Sequence, residues 1–213
     1  MNVAVIDYGS GNLRSAAKAF ERASSMADLE SKVIVTSQAS DLSAASHIVL
    51  PGVGAFADCK KGLESLDGVI EALERAVIKD AKPFLGICVG MQLMASTGLE
   101  YGRHDGLGWI DGEVAPLQCS DQTLKIPHMG WNELMFSTSH PFLNGIVQGS
   151  HVYFVHSYGV VPKDESHVLA RVNYGGVINA VIGRDNMIGV QFHPEKSQAV
   201  GLHLISNFLK WRP

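Results

Sequence analysis

The chain has few cysteines, no long apolar run and no excess of positive charge. Its 17 lysines and arginines are outnumbered by 21 aspartates and glutamates, so the formal net charge of the 213 residues is -4. A nucleic-acid-binding surface needs clustered positive charge, and this balance argues against a nucleic-acid partner. No stretch approaches the roughly 20 apolar residues that span a bilayer, so no membrane association is expected. We expect the partners to be small molecules or another protein.

The three cysteines, Cys59, Cys88 and Cys119, are widely spaced and include no CxxC pair. An odd, scattered set of this kind predicts neither a disulfide framework nor a zinc site. The residues that follow Met1 lack the basic start and the cleavage site of a signal peptide, which favours a cytoplasmic location where thiols stay reduced. Each cysteine must therefore be interpreted alone.

Short β-branched runs alternate with helical patterns in the first half of the chain. Strands are predicted for NVAVID, KVIVT, HIVLPG and PFLGIC, and helices for residues 13–27 and 57–79, with a short connection after KVIVT. This alternation is typical of βαβ units and a parallel sheet. Ligands of such sheets bind beyond the carboxyl ends of the strands, where PGVGAF and GICVGMQ lie.

The second half is richer in turns and short strands. Hairpin turns are predicted at residues 173–176 and 183–186, and a closing helix over 197–210. We therefore predict a single α/β domain over residues 1–213. It should contain an open, mostly parallel sheet flanked by helices, with a smaller antiparallel extension.

The segment FLGICVGMQL predicts a nucleophile at a strand-to-helix turn. A buried strand over 83–87 leads into Cys88, and Gly86 and Gly90 allow close backbone packing around it. The N-terminus of a following helix contributes partial positive charge, which favours the thiolate, the form that attacks. The alternative is that Cys88 is a small buried apolar residue, as most free cysteines are.

The segment GVQFHPEKS near the C-terminus contains a possible base. On an extended backbone His193 and Glu195 point the same way, because side chains two residues apart share a face. A histidine beside a carboxylate can deprotonate a thiol, while the carboxylate fixes the tautomer of the histidine. The HxE pair is a weak signal by itself, but with Cys88 it forms a coherent Cys-His-Glu set.

The glycines after the first strand, in DYGSGNLRS, suggest a dinucleotide-binding loop, but their spacing differs from one. Gly9 and Gly11 are followed by Arg14 where a third glycine would stand, and no acidic residue closes the next strand. We therefore predict no NAD and no other cofactor. No metal is predicted either, because the remaining histidines are not arranged like metal ligands; they include His128, His151 and His156.

Three motifs, PGVGAF, GICVGMQ and VQFHPE, occur in an order and spacing that resemble the class I glutamine amidotransferases over essentially the whole chain. The resemblance implies that Cys88 forms a glutamyl thioester, that His193 is the general acid and base, and that Glu195 orients His193. It also implies that the backbone N–H groups of Val53 and Val89 bind the oxyanion, a contact that typically contributes on the order of a hundredfold to a thousandfold in rate.

The same resemblance implies a pocket for L-glutamine. Members of the family hold the substrate with residues that correspond to the following positions of this sequence: Gly52, Gln92, Glu100, His156, Ser157 and Tyr158. From chemistry alone, Gln92 could instead be an exposed helical residue and Glu100 a loop carboxylate.

Three further motifs, DYGSGNLRS, IPHMGWN and YFVHSY, resemble one branch of this family. Its members are glutaminase subunits that form a heterodimer with a (β/α)₈-barrel cyclase and pass ammonia to it. That cyclase makes imidazole glycerol phosphate and an aminoimidazole carboxamide nucleotide in histidine biosynthesis. The resemblance implies a face toward the cyclase, with the candidate residues Asn12, Trp131, Asn132, Tyr153 and Lys196. Buried packing is the alternative for Trp131.

Two other functions remain open. A glutaminase of pyridoxal phosphate, anthranilate or GMP synthesis would keep the catalytic set but lack IPHMGWN, and a non-catalytic regulatory subunit would not need all of Cys88, His193 and Glu195. A glutaminase acting alone would waste glutamine. We therefore expect low activity until a liganded partner shifts the PGVG strand, where Gly52 and Gly54 make a peptide flip easy.

Overall fold

The computed structural model describes residues 1–121 and 123–213, which form three sheets and the helices that cover them. The strands are β1 (Asn2–Ile6), β2 (Lys32–Thr36), β3 (His47–Gly52), β4 (Phe84–Cys88), β5 (Ala95–Gly98), β6 (His104–Asp105), β7 (Ile110–Pro116), β8 (His128–Glu133), β9 (Met135–Phe136), β10 (His151–His156), β11 (Tyr158–Pro162), β12 (Val168–Asn173), β13 (Val177–Arg184) and β14 (Met187–Val190). The α-helices are α1 (Leu13–Met26), α2 (Ala39–Ala44), α3 (Phe56–Glu64), α4 (Val69–Leu73), α5 (Val89–Gln92) and α6 (Gln198–Lys210).

The largest sheet has eight strands in the order β2-β1-β3-β4-β14-β13-β12-β9. The first five of these strands are parallel to their neighbours, and the last three are antiparallel. This arrangement confirms the predicted fold, a mostly parallel sheet with an antiparallel extension. Because β14 pairs with β4, the segment that contains His193 leaves the sheet beside the segment that contains Cys88.

The central strands are buried along their whole length and almost entirely apolar, because both of their faces are covered. Every residue of β3, β4 and β14 is buried, as expected for parallel strands between layers of helices. On one face α1 packs against α6, and the rings of Phe20 and Phe208 meet edge to face with their centroids 6.2 Å apart. This rigid centre holds the loops at the carboxyl ends of the strands.

Two local predictions were wrong, and a third predicted helix is present but short. The predicted helix 57–79 is interrupted, because Gly68 adopts a left-handed conformation (φ 66°) between α3 and α4, and the last turns over Glu74–Lys79 are a π-helix. The predicted short connection after KVIVT contains α2. The helix after Cys88 is a single turn, since the chain enters β5 at Ala95.

Two smaller sheets complete the fold. One has the order β11-β7-β5-β6, and the other pairs β8 with β10 in antiparallel register. The hairpins predicted at 173–176 and 183–186 are confirmed as the β12–β13 and β13–β14 turns. In the part of the chain that the structure describes, no helix is long and apolar enough to cross a membrane.

Candidate active site

Cys88 lies at a strained turn between β4 and α5. Its backbone has φ 54° and ψ -110°, outside the regions that L-residues prefer, and such strain is typical of functional sites. The neighbouring glycines make the turn possible. A Cβ on Gly86 would lie 2.6 Å from the carbonyl oxygen of Gly90, and one on Gly90 would overlap the carbonyl of Leu50. The geometry is that of a nucleophile elbow, and the residue is 4% exposed.

His193 and Glu195 form a buried pair beside this turn. Nδ1 of His193 lies 2.8 Å from Oε1 of Glu195, and their side chains are only 2% and 4% exposed. The pair does not lie on an extended strand as predicted, because β14 ends at Val190 and residues Pro194–Lys196 form a 3₁₀ turn. The loop is held instead by hydrogen bonds. The N–H of His193 donates to the carbonyl of Tyr153 at 2.9 Å.

The electrostatics of the pair favour a protonated His193. Burial disfavours the imidazolium, yet the neighbouring Cys88 and Glu195 outweigh it and raise the pKa of His193 from 6.5 to about 9. Nε2 of His193, the nitrogen opposite Glu195, is buried and has no hydrogen-bond partner among the described residues. The ring is therefore oriented by Glu195 and keeps one nitrogen available for proton transfer.

A pocket of about 270 Å³ opens over Cys88 and His193. The residues that line it include most of the predicted substrate positions; they are Val53, Gly54, Cys88, Val89, Gln92, Glu100, Pro127, Val155, His156, Ser157, Tyr158 and His193. Gly52 is not among them. It is closely packed against the protein, since a Cβ at this position would lie 2.5 Å from Oη of Tyr8.

Gln92 and Glu100 both line the pocket but also bind the protein. Gln92 is 3% exposed, which excludes an exposed helical position, and its Nε2 donates to the carbonyl of Tyr158 at 3.1 Å. Oε2 of Glu100 accepts the N–H of Phe56 at 2.7 Å and so caps the start of α3. The second oxygen of Glu100 has no protein partner among the hydrogen bonds of the described residues, which leaves it free to accept from a ligand.

The Val53 peptide is hydrogen-bonded to Ser10 through both its N–H and its carbonyl. Its N–H donates to Oγ of Ser10 at 3.2 Å, and the hydroxyl of Ser10 donates back to the Val53 carbonyl. The predicted oxyanion donor is therefore occupied in this structure. Gly54, the next residue, has φ 102°, which only glycine adopts without strain. Val89, the other predicted donor, begins α5 directly after Cys88.

Two residues of the site were not predicted from the sequence, Ser10 and Gln191. Nε2 of Gln191 lies 3.6 Å from Sγ of Cys88, and the residue is fully buried. A signal for Gln191 existed, because it is a polar residue within the apolar run that leads to His193. Ser10 gave no such signal, since its contact with Val53 spans 43 positions of the chain.

An exposed aromatic face adjoins the pocket. On the β8–β10 sheet, Trp131 and Tyr153 are directly paired and their rings meet at 5.9 Å, while Nζ of Lys196 lies 5.7 Å from the Tyr153 ring. Trp131 is 46% exposed, which excludes buried packing, and Met129 on the same face is also exposed. We call these four residues the β8–β10 face.

The other two predicted interface residues lie elsewhere. Asn132 points to the opposite side of β8 from Trp131, because neighbouring residues of a strand face opposite ways. Its Nδ2 donates to the carbonyl of Asn173 at 2.9 Å, so the prediction that Asn132 is an interface residue is not supported by its orientation. Asn12 is exposed just before α1, close in sequence to Ser10.

Comparison with known proteins agrees with this geometry. The model of the glutamine amidotransferase class-I family matches residues 4–211. The chain therefore belongs to the class I glutamine amidotransferase family. Among the matched residues are the elbow at Cys88 and the pair formed by His193 and Glu195.

Curated relatives identify the branch of the family. The chain is 58% identical to imidazole glycerol phosphate synthase subunit HisH of Rhodospirillum rubrum and 56% identical to that of Agrobacterium fabrum, in each case over all of both chains. These relatives confirm the branch, a glutaminase of histidine biosynthesis, that the sequence motifs predicted.

Solved structures support the fold alone. A glutamine amidotransferase crystal structure matches with a TM-score of 0.71 and 19% identity, covering 98% of this chain and 97% of the other. A glutamine amidotransferase from Thermotoga maritima matches with a TM-score of 0.65 and 17% identity, covering 92% and 76%.

Proposed function

We propose that this chain is the glutaminase subunit of an imidazole glycerol phosphate synthase and that it hydrolyses L-glutamine with Cys88, His193 and Glu195. The observation that carries the proposal is the strained Cys88 turn beside the His193–Glu195 pair, at the floor of one pocket. The full-length relatives have the same subunit name. The pocket has room for the substrate, and the His193–Glu195 pair can transfer protons during the reaction.

In the proposed mechanism, Sγ of Cys88 attacks the side-chain amide carbon of glutamine. The imidazolium of His193 gives its proton to the leaving nitrogen, so ammonia departs and a thioester remains. His193 is now neutral and takes a proton from water, which attacks the thioester and releases glutamate and the Cys88 sulfur. Glu195 keeps the ring oriented through both steps.

The Val53 contact is the reason that we expect low activity in isolation. A tetrahedral oxyanion needs donors aimed at it, and losing one typically costs on the order of a hundredfold to a thousandfold in rate. While Ser10 holds the Val53 N–H, that donor is missing. We propose that a liganded partner turns this peptide, and the positive φ of Gly54 makes the change sterically possible.

The proposed partner is a (β/α)₈-barrel cyclase that forms a heterodimer with this chain and receives its ammonia. The β8–β10 face supports this, because it places the exposed Trp131 and Met129 beside the half-buried Tyr153, and clustered Trp, Tyr and Met side chains are typical of interface cores. This sheet also borders the pocket, since Pro127 and Val155 line it. Direct transfer would spare ammonia from protonation in water.

We also propose that residues 1–213 form one domain, because β4 from the first half pairs with β14 from the second. A cytoplasmic location is proposed with it. The thiols of Cys59, Cys88 and Cys119 are all free, in keeping with a reducing compartment.

The test compares purified wild type with Cys88→Ala, each alone and with the cyclase and its nucleotide ligand. Glutamate release is measured. We expect wild type to hydrolyse glutamine slowly when alone and much faster with the liganded cyclase, and Cys88→Ala to hydrolyse none. Activity that is the same with and without the cyclase would indicate a glutaminase of another pathway. No activity under any condition would favour a regulatory subunit, and labelling of Cys88 by a glutamine-like electrophile would then decide between a blocked and an absent active site.

A further inference from the structure

Two buried histidines lie between the β8–β10 face and the pocket, and no step of the proposed mechanism uses His128. Nδ1 of His128 lies 3.0 Å from Nε2 of His156. His128 is 1% exposed and stacks between the rings of Phe154 and Tyr174, at centroid distances of 4.7 and 4.0 Å. The pair joins β8 to β10 from the inner side of the sheet.

The hydrogen bonds of Asn132 on β8 determine the tautomer of His128. The side chain of Asn132 has only one possible orientation, because its Nδ2 faces the carbonyl of Asn173 at 2.9 Å and its Oδ1 accepts the N–H of Glu133 at 2.8 Å. The same Nδ2 lies 3.3 Å from Nε2 of His128. That ring nitrogen must therefore accept, and the proton of His128 must lie on Nδ1.

The hydrogen bonds of His156, the histidine nearer the pocket, independently require the same tautomers. Nδ1 of His156 lies 2.8 Å from the carbonyl of Tyr158, which can only accept, so Nδ1 of His156 carries the proton. Its Nε2 is then an acceptor, as the N–H of His128 requires. Every donor meets an acceptor, which makes the chain from Asn132 to Tyr158 directional.

The directional chain ends at the Tyr158 carbonyl, and a second set of hydrogen bonds links that carbonyl to the nucleophile. The Tyr158 carbonyl also accepts from Nε2 of Gln92, whose second N–H points to Oε1 of Gln191 at 3.2 Å. This leaves Nε2 of Gln191 facing Sγ of Cys88 at 3.6 Å, where a donor stabilises negative charge on sulfur. Both histidines are neutral, because burial lowers their pKa values to about 4.

We propose that His128 is a positioning residue, which holds the Tyr158 side of the glutamine pocket and the Gln191 donor through a directional hydrogen-bonded chain that starts at Asn132 on β8. The proposal rests on the proposed glutaminase function and assigns the route by which β8 affects the thiolate. A protonated histidine, or the other tautomer, would place two donors face to face and break the chain.

The first test needs no substitution. In ¹⁵N-labelled wild type, ring nitrogen spectra should show His128 and His156 both protonated on Nδ1 and not on Nε2, with a coupling across the hydrogen bond between the two rings. Protonation of Nε2 on either ring would overturn the proposal.

The second test measures the kcat and KM of glutamine hydrolysis in the complex with the liganded cyclase. His128→Phe keeps the stacking but removes both nitrogens, and we expect its kcat to fall about tenfold. His128→Asn keeps a donor at the Nδ1 position and should recover to within about threefold of wild type. The control is His47→Phe, another buried histidine that packs on Phe208 and lies outside the chain; its kcat should equal that of wild type.

The outcomes separate the two proposals. If the wild-type complex hydrolyses no glutamine, the proposed function fails and the role of His128 fails with it. If wild type is active and His128→Phe matches it, or if His47→Phe loses as much as His128→Phe, only the role of His128 is overturned. A loss in His128→Phe that His128→Asn does not recover also overturns it, since packing alone would then explain the loss.

Discussion

At the scale of residues, the site depends on a few side chains in environments that change their properties. Cys88 is held at a strained φ of 54°, and His193 is buried yet has its pKa raised to about 9. The strain at Cys88 follows from the local sequence, whereas the raised pKa of His193 depends on the fold. The strain is accommodated by glycines on either side, and the raised pKa comes from groups that meet only in the folded chain.

Glu195→Gln tests the electrostatics. The pKa of His193 is raised above its ordinary 6.5, so its protonation stabilises the fold fully below about pH 6.5, and that contribution is lost as pH rises through about 9. Removing the carboxylate charge should lower the pKa, as measured by NMR titration of the His193 ring. Hydrolysis with the liganded cyclase should fall by about a hundredfold or more. An unchanged titration curve would show that Glu195 does not control His193.

Gly90→Ala tests the elbow. Its added Cβ would overlap the Leu50 carbonyl, so we expect a loss of about 3 kcal/mol in the free energy of unfolding, measured by urea denaturation. Gly159→Ala is the matched control, because its Cβ would be no closer than 3.3 Å to Leu117 and should cost under about 1 kcal/mol. Equal losses in the two variants would contradict the packing argument.

At the scale of elements, the two faces of the β8–β10 sheet have different proposed roles, partner binding on the outer face and support of the pocket on the inner face. Its outer face contains the exposed Trp131 and the half-buried Tyr153, and its inner face contains His128 and Asn132. This follows from the alternation of side chains along a strand. The motif IPHMGWN therefore combines proposed interface residues with residues that we propose support the pocket.

Trp131→Ala tests the outer face. A central aromatic anchor typically contributes about 2 kcal/mol or more, so the affinity for the cyclase should fall about thirtyfold. The affinity is measured by titration calorimetry. Ile78→Ala is the control, since Ile78 is equally exposed but precedes β4 and so lies toward the opposite end of that strand from Cys88. A loss in the control of the same size would mean that the β8–β10 face is not the binding site.

At the scale of the whole molecule, activity depends on segments far apart in the sequence. Ser10 follows β1, Val53 follows β3, Cys88 ends β4 and His193 follows β14. The parallel sheet places these strand ends at one edge. A partner that contacts one loop can therefore affect the others.

Ser10→Ala tests this coupling. The change releases the Val53 N–H from its acceptor, so hydrolysis by the isolated chain should rise about fivefold, the value expected for one hydrogen bond of about 1 kcal/mol. Glutamate release without cyclase is the measurement. Ser46→Ala, at the opposite end of β3, is the control and should leave the rate unchanged. A fall in the Ser10→Ala rate would show that Ser10 supports the active arrangement instead.

The sequence by itself determined the fold class, because the β-branched runs and the glycines around Cys88 act through local geometry. It also indicated the pair of His193 and Glu195, which are two residues apart. The tertiary structure decided the contacts between residues that are distant in sequence. These are the hydrogen bond between Ser10 and Val53, the contact of Gln191 with Cys88 and the hydrogen bond between His128 and His156. These join positions 28 to 103 residues apart, and no local pattern specifies which polar groups meet when strands pack.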